Sequence, residues 1–280
     1  MESKEKPVFD VYSEIEAIRR YKPASTFTFP KLEIKDYPEN LPSGLVITLI
    51  GPQGSGKSSL VNSLNYVFQM RGGMSAPRYL DIAAEGPRDY HGGGTTKDFN
   101  GYYLTKNIKV FDIRGLPYLS EEFSQEVEKL YDGAYNDGEE VKYEKKSIPQ
   151  AFKGLFTNEA SKTNCPVVVL SAIDKDLVDE IENLQGFFAK IKEATSVYPL
   201  VVLTKEDLAL QRNEDVASLD GMIRSKLGVE RVTRISNYTK EDHHPNEEKT
   251  KRIIEFMGQC TLLCDSIIKK KSHEGGCVVM

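Results

Sequence analysis

The stretch LVITLIGPQGSGKSSLVNSLNYVF, Leu45 to Phe68, decides the fold. The apolar stretch Leu45 to Ile50 reads as a buried strand. The glycine-rich run GPQGSGKS, Gly51 to Ser58, follows at once, and SSLVNSLNYVF opens as a helix. Strand, glycine loop and helix in that order, with the spacing GxxxxGK[ST], are what a phosphate-binding loop requires. Gly51 and Gly56 permit backbone angles and close approaches that side chains would block, so that successive N–H groups turn inward toward phosphate oxygens. The helix start adds a partial positive charge at the same place. In this reading Gly51, Gly54, Ser55, Gly56, Lys57, Ser58 and Ser59 bind nucleotide, Lys57 reaches the outer phosphates as a catalytic residue, and the Ser58 hydroxyl ligates Mg²⁺. The loop alone specifies a nucleoside triphosphate and leaves its base open.

Working outward, three further strings follow apolar runs. TKED, Thr204 to Asp207, comes directly after YPLVVL. Guanine presents two adjacent N–H donors, and the carboxylate of Asp207 can accept from both. Adenine lacks the pair and would leave a buried charge unmet. The Lys205 stem is expected along the base plane, with Thr204 at the loop's base. DIRG, Asp112 to Gly115, follows NIKVF and matches the DxxG pattern, in which the aspartate holds magnesium through water and the Gly115 N–H meets the γ-phosphate. ISNYT, Ile235 to Thr239, follows RVTRI and places Ser236 and Asn237 where a base-binding loop is expected. Between the glycine-rich loop and DIRG lies HGGGTTKDF, His91 to Phe99, in which Thr95 or Thr96 brings a hydroxyl to the metal; Thr96 is preferred, as a metal and catalytic residue. Three consecutive glycines exclude a helix or strand interior there, leaving a mobile switch or a loose linker.

With these motifs in order, the chain resembles a G domain of the P-loop GTPase superfamily, and more closely the interferon-induced protein 44 family. The resemblance extends to SIPQAFKG at Ser147 to Gly154, VVVLSAID at Val167 to Asp174, and IRSKLGVERVTRISNY at Ile223 to Tyr238, and spans Tyr21 to Lys270. It implies a cytoplasmic guanine-nucleotide-binding protein, with GTP or GDP and Mg²⁺ as ligands, associated with innate-immune or antiviral responses. Two residues depart from the pattern of Ras-like enzymes. Leu116 stands where those carry the glutamine that orients the attacking water, which argues against fast intrinsic hydrolysis. Arg114, inside the DxxG string, either stabilises transition-state charge or pairs with a neighbouring carboxylate at the surface.

The runs LVITLI, IKVFDI, PVVVLSAI and PLVVL read as buried parallel strands, alternating with the helix-like EEFSQEVEKLY and DLVDEIENLQGFFAKIKEA. Such alternation predicts an α/β, doubly wound, mostly parallel sheet with its ligand at the strands' carboxyl ends. Three segments are expected: an N-terminal extension over 1–43, a G domain over 44–271 and a flexible tail over 272–280. The extension holds a helix-like piece, FDVYSEIEAIRRY, and an extended one, FTFPKLEIKDYPENLP; its charges and lack of an apolar core exclude a secretory signal. The polar insert DGAYNDGEEVKYEKK, Asp132 to Lys146, reads as a mobile loop.

A net charge of −5 argues against a general nucleic-acid binder. Sparse cysteines without paired spacing suit a reducing compartment. Cys260 and Cys264 recur with Ile253, Met257 and Ile267 at helical spacing and form a core stripe. Cys277 differs, because the chain ends CVVM, the CaaX pattern for prenylation. Lys269, Lys270 and Lys271, followed by a flexible SHEGG spacer, would add to a reversible membrane attachment, or would cap the last helix. Three readings follow: a slow or partner-assisted GTPase acting as a switch or self-assembling membrane effector, a non-hydrolysing GTP-binding module, and a P-loop kinase or ATPase, the last disfavoured by TKED.

Overall fold

The computed structural model describes residues 10–23, 43–72, 74–83, 98–113, 115–116, 135–140, 163–195 and 197–275. In chain order they form α1 (Val11–Arg19), β1 (Leu45–Ile50), α2 (Lys57–Gln69), β2 (Asp98–Thr105), β3 (Ile108–Asp112), β4 (Glu139–Glu140), β5 (Cys165–Ser171), α3 (Leu177–Thr195), β6 (Leu200–Thr204), α4 (Glu206–Gln211), α5 (Val216–Leu227), β7 (Val232–Ile235) and α6 (Glu247–Gly275). The strands make one seven-stranded sheet in the order β4-β2-β3-β1-β5-β6-β7. β3, β1, β5, β6 and β7 run parallel; β2 is antiparallel to β3, and β4 is antiparallel to β2. The sheet is therefore mixed α/β and mostly parallel, as the apolar runs predict.

The pleat sorts each strand between two cores. Leu45, Ile47 and Leu49 of β1, with Val167 and Val169 of β5, face α1, α2 and α6. Val46 and Ile50, with Val168 and Leu170, face the other way onto Leu177, Ile181, Leu184, Phe187, Phe188 and Ile191 of α3 and Val216, Ile223 and Leu227 of α5. Both sheet faces are covered, which is why these strands read as continuous apolar runs instead of alternating ones. β1 lies at the centre, with β3 on one side and β5 on the other. The chain winds outward in both directions from it, so its carboxyl end is the sheet's switch point, where ligands of such sheets bind.

The amino-terminal helix docks away from that end. Asp10 caps α1, accepting from the Tyr12 N–H at 3.1 Å. Arg19 donates to the carbonyls of Phe68 and Met70, satisfying acceptors that α2 leaves open at its carboxyl end. Tyr21 donates to Asp265 Oδ1 of α6 at 2.6 Å. Burial, with the neighbouring Cys264 and Asp265, pushes the Tyr21 hydroxyl far above its ordinary pKa, so it remains a donor at any physiological pH. α6 carries the expected stripe: Ile253, Met257, Cys260, Cys264 and Ile267 are all buried. Cys165, Cys260 and Cys264 are free thiols, and burial pushes Cys264 up to about 12.

Two expectations are corrected. The insert read as a mobile loop is partly tied to the sheet: β4 pairs with β2, and Asp137 Oδ2 accepts from Lys109 Nζ at 2.9 Å. A charge partner and a strand edge within reach hold a polar segment whose composition alone suggests a loop. The spacer read as flexible continues α6, which runs through Ser272 to Gly275. Once three turns are packed, extending a helix costs little per residue, even for a polar sequence. The segments EEFSQEVEKLY, FTFPKLEIKDYPENLP and SIPQAFKG lie outside the described residues, as do His91, Thr95, Thr96, Arg114 and Cys277.

Candidate functional site

At the carboxyl end of β1 the chain turns through Gly51 to Gly56 and enters α2 at Lys57. Gly51 is required by space: a Cβ there would lie 2.1 Å from the Val169 carbonyl oxygen. Gly56 is required by conformation and space together, with φ +91° and a Cβ position 3.2 Å from Thr204 Oγ1 and 3.3 Å from Asn237 Nδ2. Gly54 also takes a left-handed angle, φ +75°. As N-cap residue, Gly56 offers no side-chain acceptor, so the first-turn amides of Lys57, Ser58 and Ser59 have no side-chain cap. Ser55 Oγ is buried against Gly51 and has no hydrogen-bond partner among the described residues. Helix amides without a side-chain cap, a buried hydroxyl with no partner among the described residues, and backbone that admits no Cβ at Gly51 or Gly56 fit a bound oxyanion.

Lys57 sits inside this loop, only 6% exposed, and donates to the carbonyls of Gly51 and Pro52 at 3.0 Å each. Desolvation lowers its pKa to about 8, with Asp112 pulling in the opposite direction. Among the described residues this ammonium bonds only neutral carbonyls, with the nearby charge of Asp112 favouring it, so it is a cation short of anionic partners. Next to it, Ser58 Oγ donates to Asp112 Oδ2 at 2.6 Å, which brings together the two oxygen donors expected to hold a divalent cation. No cluster of three metal-ligating side chains occurs among the described residues. The pair therefore suits Mg²⁺ only when phosphate oxygens complete its shell.

The DxxG segment closes onto the loop. Gln53 N–H donates to Leu116 O at 3.0 Å, and Leu116 N–H donates to Gly51 O at 3.1 Å. Together these make a short parallel bridge between Pro52 and Leu116. A Cβ on Gly115 would lie 2.6 Å from Gln53 Cα, so only glycine allows this approach. The Leu116 side chain is fully buried among Ile50, Phe111 and Ile113.

Two strands away, the TKED loop after β6 is bonded to the glycine loop. Thr204 Oγ1 lies 2.5 Å from Ser55 O and 3.1 Å from Leu170 O as their donor. Lys205 adopts φ +61°, unusual for a residue with a side chain, and its Nζ donates to Gly54 O at 2.7 Å. Strain of about 1–2 kcal/mol is typical for that angle and persists only where the surroundings hold it. Glu206 is spent on Arg234, at 3.2 Å. The Asp207 carboxylate has no hydrogen-bond or ion-pair partner among the described residues, while its N–H donates to Ser236 Oγ at 3.2 Å. Asn237 Nδ2 donates to Gly56 O at 3.2 Å. Ser63 Oγ joins the same loop to α2 by accepting from the Tyr238 N–H at 2.8 Å. Ser236 and Asn237 thus converge on the site, but through side chains that lock three loops into one body.

Sequence reasoning overlooked that TKED occurs twice, at Thr204 to Asp207 and again at Thr239 to Asp242. The second copy follows no strand directly. It closes on itself, with Thr239 and Asp242 exchanging backbone hydrogen bonds at 3.1 and 3.2 Å, and Asp242 accepts from Lys249 Nζ at 2.6 Å. Its carboxylate is neutralised by that lysine; that of Asp207 is left available.

A parallel sheet with a glycine loop at its central strand's carboxyl end defines a doubly wound P-loop fold. No family model matches the chain, and no curated protein matches it. Among solved structures it is similar to Toc33 from Arabidopsis thaliana in complex with GDP and Mg²⁺, with 13% identity, 80% of this chain and 85% of that one covered, and a TM-score of 0.45. It is also similar to the FeoB G-domain from Methanococcus jannaschii, with 16% identity, 79% and 98% coverage, and a TM-score of 0.40.

Proposed function

We propose that the protein binds GTP and GDP with Mg²⁺ and hydrolyses GTP to GDP slowly, or with help from a partner or a second copy of itself. The observation that carries this reading is the bonding of the TKED loop to the glycine loop, through Thr204 to Ser55 and Lys205 to Gly54, beside an Asp207 carboxylate with no partner among the described residues. A phosphate cradle and a lone carboxylate set in one rigid body suit a ligand with phosphates at one end and paired N–H donors at the other. Gly51, Gly54, Ser55, Gly56, Lys57, Ser58, Ser59 and Gly115 would meet the phosphates; Thr204, Lys205, Asp207, Ser236 and Asn237 would form the base side. Ser58, Asp112 and Thr96 are the proposed metal-side residues. Bound Mg²⁺ would offset charge developing on the phosphates.

The alternative is a GTP-binding module without turnover, favoured by the burial of Leu116. An innate-immune role rests on the family resemblance alone. Reversible membrane association through Cys277 rests on the CVVM ending, and no helix among the described residues is long and apolar enough to cross a membrane. The deciding experiment titrates nucleotide-stripped protein with fluorescent GTP and ATP analogues in Mg²⁺ and follows GTP for GDP by chromatography. Selective GTP binding with GDP appearing supports the GTPase; binding without GDP supports the module; ATP preference or no binding refutes both.

A further inference from the structure

Hydrolysis of a terminal phosphoryl group needs a side chain that holds water in line with the phosphorus. The chain's position for that task after the DxxG glycine is Leu116, whose side chain is fully buried in the apolar core. Its backbone has a different role, since both its N–H and its carbonyl are bonded to the phosphate loop. The carbonyl bond is to Gln53. Gln53 thus sits at the seam where the phosphate loop meets Gly115, the two elements that flank a terminal phosphate, with Gly115 so close that a Cβ would fall 2.6 Å from Gln53 Cα.

Among the loop residues, Ser55 turns its hydroxyl inward against Gly51, and Lys57 donates to two loop carbonyls. Gln53 is the one loop residue with an amide, half-buried, with its Nε2 shielded from solvent. An amide both donates and accepts, so it can take a hydrogen bond from water while giving one to a phosphate oxygen. The local backbone that seats it is fixed by the Pro52 to Leu116 bridge.

Resting on the GTP reading above, we infer that Gln53 is the water-positioning residue of this protein, supplied by the phosphate loop itself in place of Leu116. The water oxygen forms a bond to the γ-phosphorus as the bond from that phosphorus to the β–γ bridging oxygen breaks. The electron pair of the broken bond leaves with GDP, and a water proton ends on inorganic phosphate. Gln53 gains and loses no proton; it orients the water and excludes misaligned ones.

The test compares full-length wild-type protein with Gln53→Ala and Gln53→Glu. The first readout is not turnover: aluminium fluoride, which with GDP mimics the transferring phosphoryl group, tightens GDP binding to the wild type and fails to do so for Gln53→Ala, while GDP affinity without fluoride is unchanged. In turnover, Gln53→Ala lowers kcat by about 10²-fold with little change in KM. Gln53→Glu keeps shape, and its protonated form donates and accepts as the amide does while its ionised form only accepts and repels phosphate, so its rate falls as pH rises through the carboxylate range, a dependence the wild type lacks. An alanine variant that keeps both the fluoride effect and kcat overturns the inference. So does a wild type that binds GTP without turnover, alone or at self-associating concentration, although the GTP-binding reading then stands. Failure to bind GTP at all overturns that reading first and this one with it.

Discussion

Replacing Lys57 by methionine is expected to stabilise the ligand-free protein while destroying its response to nucleotide. Burial holds the ammonium at a pKa of about 8 against an ordinary 10.5, which corresponds to about 3 kcal/mol of destabilisation of the charged form in the folded state. Methionine fills similar space without the charge. It leaves the Gly51 and Pro52 carbonyls without their donor, at about 1–2 kcal/mol, so the net expected gain is about 1–2 kcal/mol in urea unfolding near neutral pH. The sign is checked by pH. Below pH 8 the lysine is charged in both states and the full cost is present. Between about 8 and 10.5 the folded protein gives up its proton before the unfolded chain does, so wild-type stability rises by about 3 kcal/mol relative to Lys57→Met across that window and is flat beyond it. With GTP and Mg²⁺ at about 100 times the dissociation constant, the wild type gains about 2.7 kcal/mol and the variant gains nothing, so the order reverses. A variant less stable than wild type without ligand, with the same pH profile, would refute the claim that this lysine is buried at a cost that phosphate relieves.

Asp207→Asn should shift preference from guanine to xanthine nucleotides in competition binding, and Asp242→Asn, at the second TKED, should leave it unchanged; equal behaviour of the two would sink the assignment. Gly51→Ala places a methyl 2.1 Å from the Val169 carbonyl and should cost about 3 kcal/mol in urea unfolding, and a loss below about 1 kcal/mol would mean the strand ends are not packed as described. Cys277→Ser should release the protein from membranes in a eukaryotic cell, and identical fractionation of both forms would show that the CVVM ending is inert.

Much of the fold is legible because its strands are buried on both faces. β1, β3, β5 and β6 leave continuous apolar runs, and the phosphate loop carries its own spacing. β2 escapes notice because DFNGYYLT is half-exposed, contains Gly101 and pairs only as an antiparallel strand near the sheet edge. Its place depends on Lys109 and Phe111 packing where a Cβ on Gly101 would stand, which no local pattern encodes. The direction in which Leu116 points is likewise settled by the bridge to Pro52.

By itself the sequence marked out the glycine loop, since its glycine spacing and the strand before it dictate a tight turn into a helix. It pointed to one of two identical tetrapeptides through the apolar run before it, but not to what each side chain meets. Thr204 to Asp207 and Thr239 to Asp242 contain the same atoms, yet one stands beside Gly54 and Ser55 with no partner for its carboxylate among the described residues, and the other folds back on Lys249. Tertiary structure decided those surroundings, because a carboxylate's partner depends on which distant cation the packing brings within reach.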